Sequence, residues 1–87
     1  MGKHIIIDVR EPFEFASGHV EGAINLPLAQ IMAGTNRLDD VPKDTKLIVY
    51  CRSGGRSATS IKYLEKMGFT DLINGINTDH VNSLELA

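Results

Sequence analysis

The chain has 87 residues, of which 43% are hydrophobic and 23% charged, and its formal net charge is -2. This length suits a single domain, 1–87, with one core and one site, and leaves no room for a second. The small charge and the lack of a Lys or Arg run exclude the electrostatic footprint of a protein that binds nucleic acid or an anionic membrane. No apolar stretch approaches the roughly 18 residues of a membrane-spanning helix. We therefore expect small molecules and other proteins as partners.

Cys51 is the only cysteine of the chain. A single thiol cannot form an internal disulfide, so it is an inert core residue, an intermolecular partner or a reactive group. A free thiol fits a reducing compartment, and the start of the chain lacks the apolar run of a signal peptide, which favours the cytoplasm. A periplasmic protein that has lost its signal peptide would have the same sequence, so that alternative stays open.

The first half of the chain predicts two strands, two short helices and a loop. The segment 4–9 is rich in β-branched residues without polar alternation, which is typical of a strand covered on both faces. A proline near the start and a glycine at the end bound a small helix at 12–18. Residues 23–26 precede a proline, which favours extended backbone and a second strand. A helix can follow at 28–32, and 34–46 has the composition of a loop.

The second half predicts two strands around an amphipathic helix. Residues 46–50, KLIVY, are the most strand-like segment and run directly into Cys51. From Ser57 apolar residues recur every three positions, on one face of a helix that Gly68 can end with a Schellman motif. These apolar residues are Ala58, Ile61, Leu64 and Met67. A last strand is predicted at 71–73. Strands separated by helix-length segments indicate an α/β fold, with a small, mostly parallel sheet flanked by helices.

The segment between the strongest strand and the strongest helix, 51–57 or CRSGGRS, combines residue types that suit a reactive thiol. Ligands of open parallel sheets bind beyond the carboxyl ends of the strands, where this segment lies. Its glycine pair lets successive N–H groups point inward and form an anion-binding concavity, to which the helix start adds its positive end. With Arg52 and Arg56, these groups should lower the pKa of Cys51 below its free value of about 8.5. Cys51 is thus the predicted catalytic nucleophile.

A purely structural interpretation of the same residues is also available. A free cysteine at the end of a strand is often a small buried hydrophobe, and a single arginine is usually a solvated surface charge. That interpretation of Cys51 must also account for two glycines and two arginines in the same short loop beside a helix start. We therefore favour the reactive thiol.

The loop 51–57 resembles the active-site loop of the rhodanese family, and especially of its small single-domain members. In that family the cysteine comes first, an arginine is sixth, and Ser or Thr follows. A second family signature is similar to DVRE at 8–11 and to GHVEGAINLP at 18–27. The resemblance implies the three-layer rhodanese-like α/β fold. It also implies a double displacement, in which Cys51 takes a sulfane sulfur from a donor such as thiosulfate, as a persulfide, and passes it to cyanide or a thiol.

The same resemblance implies which residues surround the sulfur. The substrate-binding residues would be Arg52, Ser53, Gly54, Gly55, Arg56 and Ser57. Asp8 and Arg10 match family positions near the pocket, where we expect them to support loops more than to contact substrate. The resemblance implies no metal or organic cofactor, and His19 is expected to pack or to form a hydrogen bond within its segment. A thioredoxin-like or other sulfur-accepting protein is an expected partner.

Two other functions stay open on the sequence. Cysteine-based phosphatases and arsenate reductases also combine a cysteine, a backbone nest and an arginine, but with five residues between the two side chains. The four residues 52–55 form a smaller cradle, which suits one sulfur atom. Rhodanese-like modules that bind a protein without catalysis often lack the cysteine that this chain has.

The C-terminal segment departs from the family pattern. Relatives have a glycine pair after the last strand and then a tryptophan, whereas this chain reads NGIN at 74–77 and has no tryptophan. The resemblance therefore does not predict how the pocket is covered there.

Overall fold

A computed structural model describes residues 3–84, and within them one sheet of parallel strands lies between helices. The strands are β1 (His4–Asp8), β2 (Ile24–Asn25), β3 (Lys46–Tyr50) and β4 (Asp71–Ile76), in the spatial order β2-β1-β3-β4. The helices are α1 (Pro12–Ala16), α2 (Leu28–Met32), α3 (Gly55–Lys66) and α4 (Thr78–Ser83). The predicted α/β class is confirmed. Strands β1 and β2 and helix α1 are each one or two residues shorter than the sequence predicts.

The sheet is covered on both faces, because alternate residues of β3 point to opposite sides. Leu47 and Val49 lie in a core cluster with residues of α2 and α3. Ile48 and Tyr50 lie in a second cluster, on the other face, with a residue of α4. Cys51 continues the alternation into the first cluster. Helices, sheet and helix thus form the three layers that the resemblance implies.

Helix α3 ends as the sequence predicts but begins earlier. Gly54, with a φ of 94°, is its N-cap, so that Gly55 is already helical. At the other end Gly68 has a φ of 105°, and the N–H of Phe69 donates to the carbonyl of Leu64. This is the hydrogen-bond pattern of a Schellman motif. Helix α3 therefore begins within the loop 51–57 and not after it.

The C-terminal region contains a helix that the sequence does not predict. Strand β4 continues to Ile76, past its predicted end, through a bulge in its pairing with β3. Helix α4 follows and packs on β3 and β4, with Val81 in the core. The side chain of Asn77 caps it by accepting the N–H of His80. A Cβ at Gly75 would lie only 2.6 Å from Val81, so glycine permits this close packing. The sheet is covered here without a tryptophan.

Candidate active site

Cys51 lies directly after β3, at the point where the strand order reverses between β1 and β3 and ligands of open parallel sheets bind. The residue is only 2% exposed, as a structural cysteine would be. Its sulfur nevertheless has polar neighbours: the N–H of Gly54 donates to it at 3.2 Å, and the hydroxyl oxygen of Ser57 lies 3.6 Å away. Packing alone does not require hydrogen-bond donors beside the sulfur, so this geometry favours a reactive role.

The turn at Gly54 creates this arrangement. Its φ of 94° lies in the left-handed region, where a side chain is strained and glycine is not. The turn directs the N–H of Gly54 toward the sulfur and starts α3 immediately afterwards. The N–H groups of a first helical turn have no partners within the helix, so they are free to stabilise a negative charge. The glycine pair thus brings a short nest of donors to Cys51.

These donors outweigh the effect of burial on the thiol. Burial raises the pKa of Cys51, but hydrogen bonds from the Ser57 hydroxyl and from the N–H groups of Ser57, Ser53 and Gly54 lower it, and the net result is a pKa of about 7. A lower pKa increases the ionised fraction of the thiol at neutral pH, and the thiolate is the nucleophilic form of cysteine. The loop therefore favours the ionised form of the thiol without a separate general base.

Arg56 is engaged by an acidic residue of α1. Its guanidinium nitrogens donate to both carboxylate oxygens of Glu14, at 2.7 and 3.1 Å, and Glu14 also accepts the N–H of Glu11 at the start of α1. The hydrogen bonds from Arg56 and Glu11 lower the pKa of Glu14 to about 2. The sequence predicts Arg56 as a positive charge for Cys51, whereas in the structure that charge is balanced by Glu14. Arg52, in contrast, is exposed.

Asp8 and Arg10 form a buried ion pair at the end of β1. One carboxylate oxygen of Asp8 accepts the backbone N–H and Nε of Arg10, and the other accepts its Nη2 at 2.7 Å and the hydroxyl of Tyr50 at 2.8 Å. Arg10 also donates to the carbonyl of Gly18, and the Tyr50 oxygen accepts the N–H of Val20. Burial raises the pKa of Tyr50 to about 12, which keeps its proton on the hydroxyl. These contacts join the strand end to the following loop and favour a supporting role.

Asn74 belongs to the site although the sequence does not predict it there. Its Oδ1 accepts the hydroxyl of Ser57 at 2.6 Å and the N–H of Ile76 at 3.0 Å, and its Nδ2 donates to the carbonyl of Gly54 at 3.2 Å. The sequence does contain a signal: asparagine is depleted in strands, yet Asn74 directly follows the strand predicted at 71–73. A polar residue in that position needs partners, and it finds them in the active-site loop.

His19 has a local role. Its ring stacks on Phe15, with the ring centroids 3.6 Å apart, and its Nδ1 lies 2.8 Å from the carbonyl oxygen of Phe15. A carbonyl only accepts, so Nδ1 carries the proton. The predicted packing and hydrogen bonding of His19 are confirmed. Between residues 3 and 84, no three His, Cys, Asp or Glu side chains are grouped to hold a metal ion. In the same range no helix is both long enough and apolar enough to cross a membrane.

Known proteins resemble this chain over most of its length. The sulfurtransferase of Allochromatium vinosum is 36% identical over 70 residues, which make up 80% of this chain and 63% of that protein. The thiosulfate sulfurtransferase PspE of Escherichia coli (strain K12) is 37% identical over 68 residues, 78% of this chain and 64% of that protein. The chain thus spans less than two thirds of the length of these curated relatives.

The fold and the family agree with these similarities. A solved structure described as a rhodanese with anions from E. coli superposes with a TM-score of 0.78 at 32% identity, covering 90% of this chain and 91% of that one. The model of the rhodanese-like domain family matches residues 1–77, which include the loop around Cys51 and all four strands. The chain therefore belongs to the rhodanese-like domain family.

Proposed function

We propose that this protein is a sulfurtransferase, which carries a sulfane sulfur as a persulfide on Cys51 from a donor such as thiosulfate to cyanide or a thiol. The observation that carries the proposal is the set of donors around the sulfur, with the N–H of Gly54 at 3.2 Å and the Ser57 hydroxyl oxygen at 3.6 Å. They favour the thiolate, and they would equally favour the negative charge of a persulfide. Membership of the family and the similarity to sulfurtransferases support the same conclusion.

In the first half-reaction the Cys51 thiolate attacks the outer sulfur of thiosulfate. A bond forms between these two sulfurs while the bond from the outer sulfur to the sulfite sulfur breaks, and sulfite leaves with that electron pair. The product is a persulfide on Cys51. Its terminal sulfur carries the negative charge, which the N–H groups of the loop can stabilise.

In the second half-reaction cyanide or a thiolate attacks the terminal sulfur of the persulfide. The bond between that sulfur and Cys51 breaks, the Cys51 thiolate is regenerated, and thiocyanate or the persulfide of the acceptor leaves. A thiol whose pKa is about 7 is a better leaving group than an ordinary cysteine. The cycle balances without an external oxidant or reductant.

The remaining residues of the loop have separate parts in this proposal. Arg52 is exposed and can meet the anionic donor outside the loop, while the Glu14 pair holds Arg56 beside it. The backbone of 52–57 binds the sulfur, and Asp8 with Arg10 supports the pocket by holding the segment that follows β1. We further propose that the whole chain, 1–87, is one rhodanese-like domain, that a thioredoxin-like or other sulfur-accepting protein can be its acceptor, and that the free thiol works in a reducing compartment such as the cytoplasm.

The direct test is the mass of the intact protein after incubation with thiosulfate. We expect the reduced chain to gain one sulfur atom, which dithiothreitol removes, and we expect the Cys51→Ser variant to gain none. The protein should not hydrolyse para-nitrophenyl phosphate, because the four-residue loop is too small for phosphate. Absence of the added sulfur would refute the proposal, and phosphatase activity comparable to sulfur transfer would favour the phosphatase alternative.

A further inference from the structure

Asn74 connects the bulge of β4 to the loop around the thiol. The carbonyl of Ile76 accepts the N–H of Cys51 at 3.1 Å, so the bulge holds the start of the loop. Ile76 has a φ of 70°, which is a strained conformation for a β-branched residue. Hydrogen bonds on both sides maintain it: the N–H of Ile76 donates to Oδ1 of Asn74, and the N–H of Asn77 donates to the carbonyl of Gly75 at 2.8 Å. Asn74 is therefore part of the support of the loop.

The orientation of the Asn74 amide is determined by its three partners. Oδ1 faces two donors, the hydroxyl of Ser57 and the N–H of Ile76, while Nδ2 faces the carbonyl of Gly54. The reversed amide would place its NH₂ group against the N–H of Ile76, and its oxygen against the carbonyl of Gly54. Both contacts would be repulsive. The oxygen of Asn74 must therefore point at Ser57.

The hydroxyl of Ser57 has one proton and three neighbouring acceptors. Oδ1 of Asn74 is 2.6 Å away, the carbonyl oxygen of Gly54 is 3.1 Å away, and the sulfur of Cys51 is 3.6 Å away. While the sulfur is a neutral thiol, the shortest contact takes the proton, and the thiol can donate to the hydroxyl oxygen. Once the sulfur is charged it becomes the stronger acceptor, so the hydroxyl can turn toward it. Asn74 keeps the N–H of Ile76 as a partner in both states.

We propose that Asn74 is a positioning residue, which holds the Ser57 hydroxyl beside the sulfur of Cys51 through its contacts with Ser57, Gly54 and Ile76. The proposal deepens the sulfur-transfer function and rests on it for its biological meaning. Its first readout, however, is the ionisation of the thiol, which can be measured without any sulfur donor.

The experiment measures the rate of iodoacetamide alkylation of the full-length chain against pH. We expect Asn74→Ala to raise the midpoint of the profile by about half to one pH unit, because the Ser57 hydroxyl is then no longer held beside the sulfur and its hydrogen bond to the thiolate weakens. A lowered midpoint would mean that Asn74 acts mainly as a competing acceptor of the hydroxyl proton, and it would overturn the proposal. The same substitution should add little in a Ser57→Ala background, because Asn74 acts through Ser57. Asn77→Ala is the matched control: it removes a helix cap from α4 and should leave the midpoint unchanged. The charged groups around the loop are the same in all these variants: Asp8, Arg10, Glu14, Arg52 and Arg56.

A second variant covers the case in which Asn74→Ala does not fold. Asn74→Asp keeps the size and the oxygen that accepts from Ser57, but it replaces the donor to Gly54 and adds a negative charge, so it should raise the midpoint further. An unchanged midpoint in the folded variant would overturn the proposal, and so would an equal shift with and without the Ser57 hydroxyl. If the midpoints shift as expected but thiosulfate adds no sulfur, the positioning role stands and the sulfurtransferase function fails.

Discussion

Two adjacent strands of the sheet end in polar residues, and the two ends differ in how their polar atoms are bonded. At the end of β1, Asp8 binds Arg10 and Tyr50, and all three residues are buried. At the end of β3, the sulfur of Cys51 is equally buried, but its neighbours are a backbone N–H and a hydroxyl. The end of β1 thus holds an ion pair with balanced charges, whereas the end of β3 surrounds the sulfur with uncharged hydrogen-bond donors.

This difference fits the supporting role that we propose for Asp8 and the reactive role that we propose for Cys51. The carboxylate of Asp8 already accepts from a guanidinium and a phenol, so a substrate would have to displace them. The donors around Cys51 instead stabilise whatever negative charge the sulfur gains, and the charge can change during a reaction without breaking an ion pair. Charged residues at a sheet edge are therefore a weaker sign of chemistry than neutral donors directed at a nucleophile.

The largest expected effect is that of Cys51→Ser, which should reduce sulfur transfer to background while the protein stays folded. The serine hydroxyl fits the same cradle but is a weak nucleophile and cannot form a persulfide. Thiosulfate–cyanide turnover and circular dichroism of the purified variant measure the two outcomes. Turnover retained in the folded variant would contradict the assignment of the nucleophile.

At the end of β1 we expect a loss of stability without a change in the reactivity of the thiol. Asp8→Ala leaves the guanidinium of Arg10 buried without its partner, which should lower the free energy of unfolding by about 3 to 5 kcal/mol. Urea unfolding measures the loss, and Asp44→Ala, at an exposed loop position, is the control that should unfold like the original chain. In conditions where Asp8→Ala is folded, the alkylation midpoint of Cys51 should stay near that of the original chain.

A milder change keeps this comparison testable if Asp8→Ala does not fold. Tyr50→Phe removes only the hydroxyl that donates to Asp8 and accepts from Val20. It should destabilise the chain by about 1 to 3 kcal/mol, since it leaves buried polar groups without a partner. A changed alkylation midpoint in this variant would show that the two strand ends are not independent.

The parts of the fold that the sequence predicts are those with local causes. The β-branched runs of β1 and β3, the periodic apolar face of α3 and its terminal Gly68 each depend on neighbouring residues, and the loop 51–57 is a local motif. The α/β class follows from the alternation of these segments.

The contacts that the sequence does not predict join distant segments. Glu14 and Arg56 are far apart in the chain and meet because α1 lies beside the start of α3. The bulge that takes Asn74 to Ser57 depends on the register between β3 and β4, which periodicity does not determine. Helix α4 is short and contributes little to a periodic pattern, although Asn77 is a recognisable N-cap.

A smaller effect is expected from the arginines of the loop. Arg52→Ala or Arg56→Ala should remove a charge-assisted contact with the anionic donor worth about 1.5 to 3 kcal/mol, or roughly 10- to 150-fold in kcat/KM for thiosulfate. The acceptor half-reaction should lose less, because cyanide attacks a sulfur that backbone N–H groups hold. Stopped-flow measurement of each half-reaction tests this, with Lys62→Ala on the exposed side of α3 as the control.

A comparison of the two arginine variants is a further test, because Arg56 is paired with Glu14 whereas Arg52 is exposed. Arg56→Ala removes the ion pair with Glu14 that joins α3 to α1. Part of its effect should therefore appear in both half-reactions. Arg52 is exposed, and its effect should be confined to the donor step. Equal losses in both halves for Arg52→Ala would indicate a misshapen loop, and no loss for either variant would make both arginines surface charges.

The smallest expected effect concerns the pair of Glu14 and Arg56 in acid. The folded chain lowers the pKa of Glu14 from 4.5 to about 2, so the stability that this carboxylate contributes is complete above about pH 4.5 and is lost as the pH falls toward 2. Glu14→Gln keeps the shape of the side chain without the charge, and at pH 6 it should unfold more easily by about 0.2 to 1 kcal/mol, since Arg56 is partly exposed. Urea unfolding of both proteins between pH 6 and pH 2 should show this difference shrinking toward zero, whereas Glu65→Gln on the exposed surface of α3 should show none at any pH. A difference at pH 2 as large as that at pH 6 would mean that Glu14 acts through packing, and no difference at pH 6 would mean that the pair does not stabilise the fold.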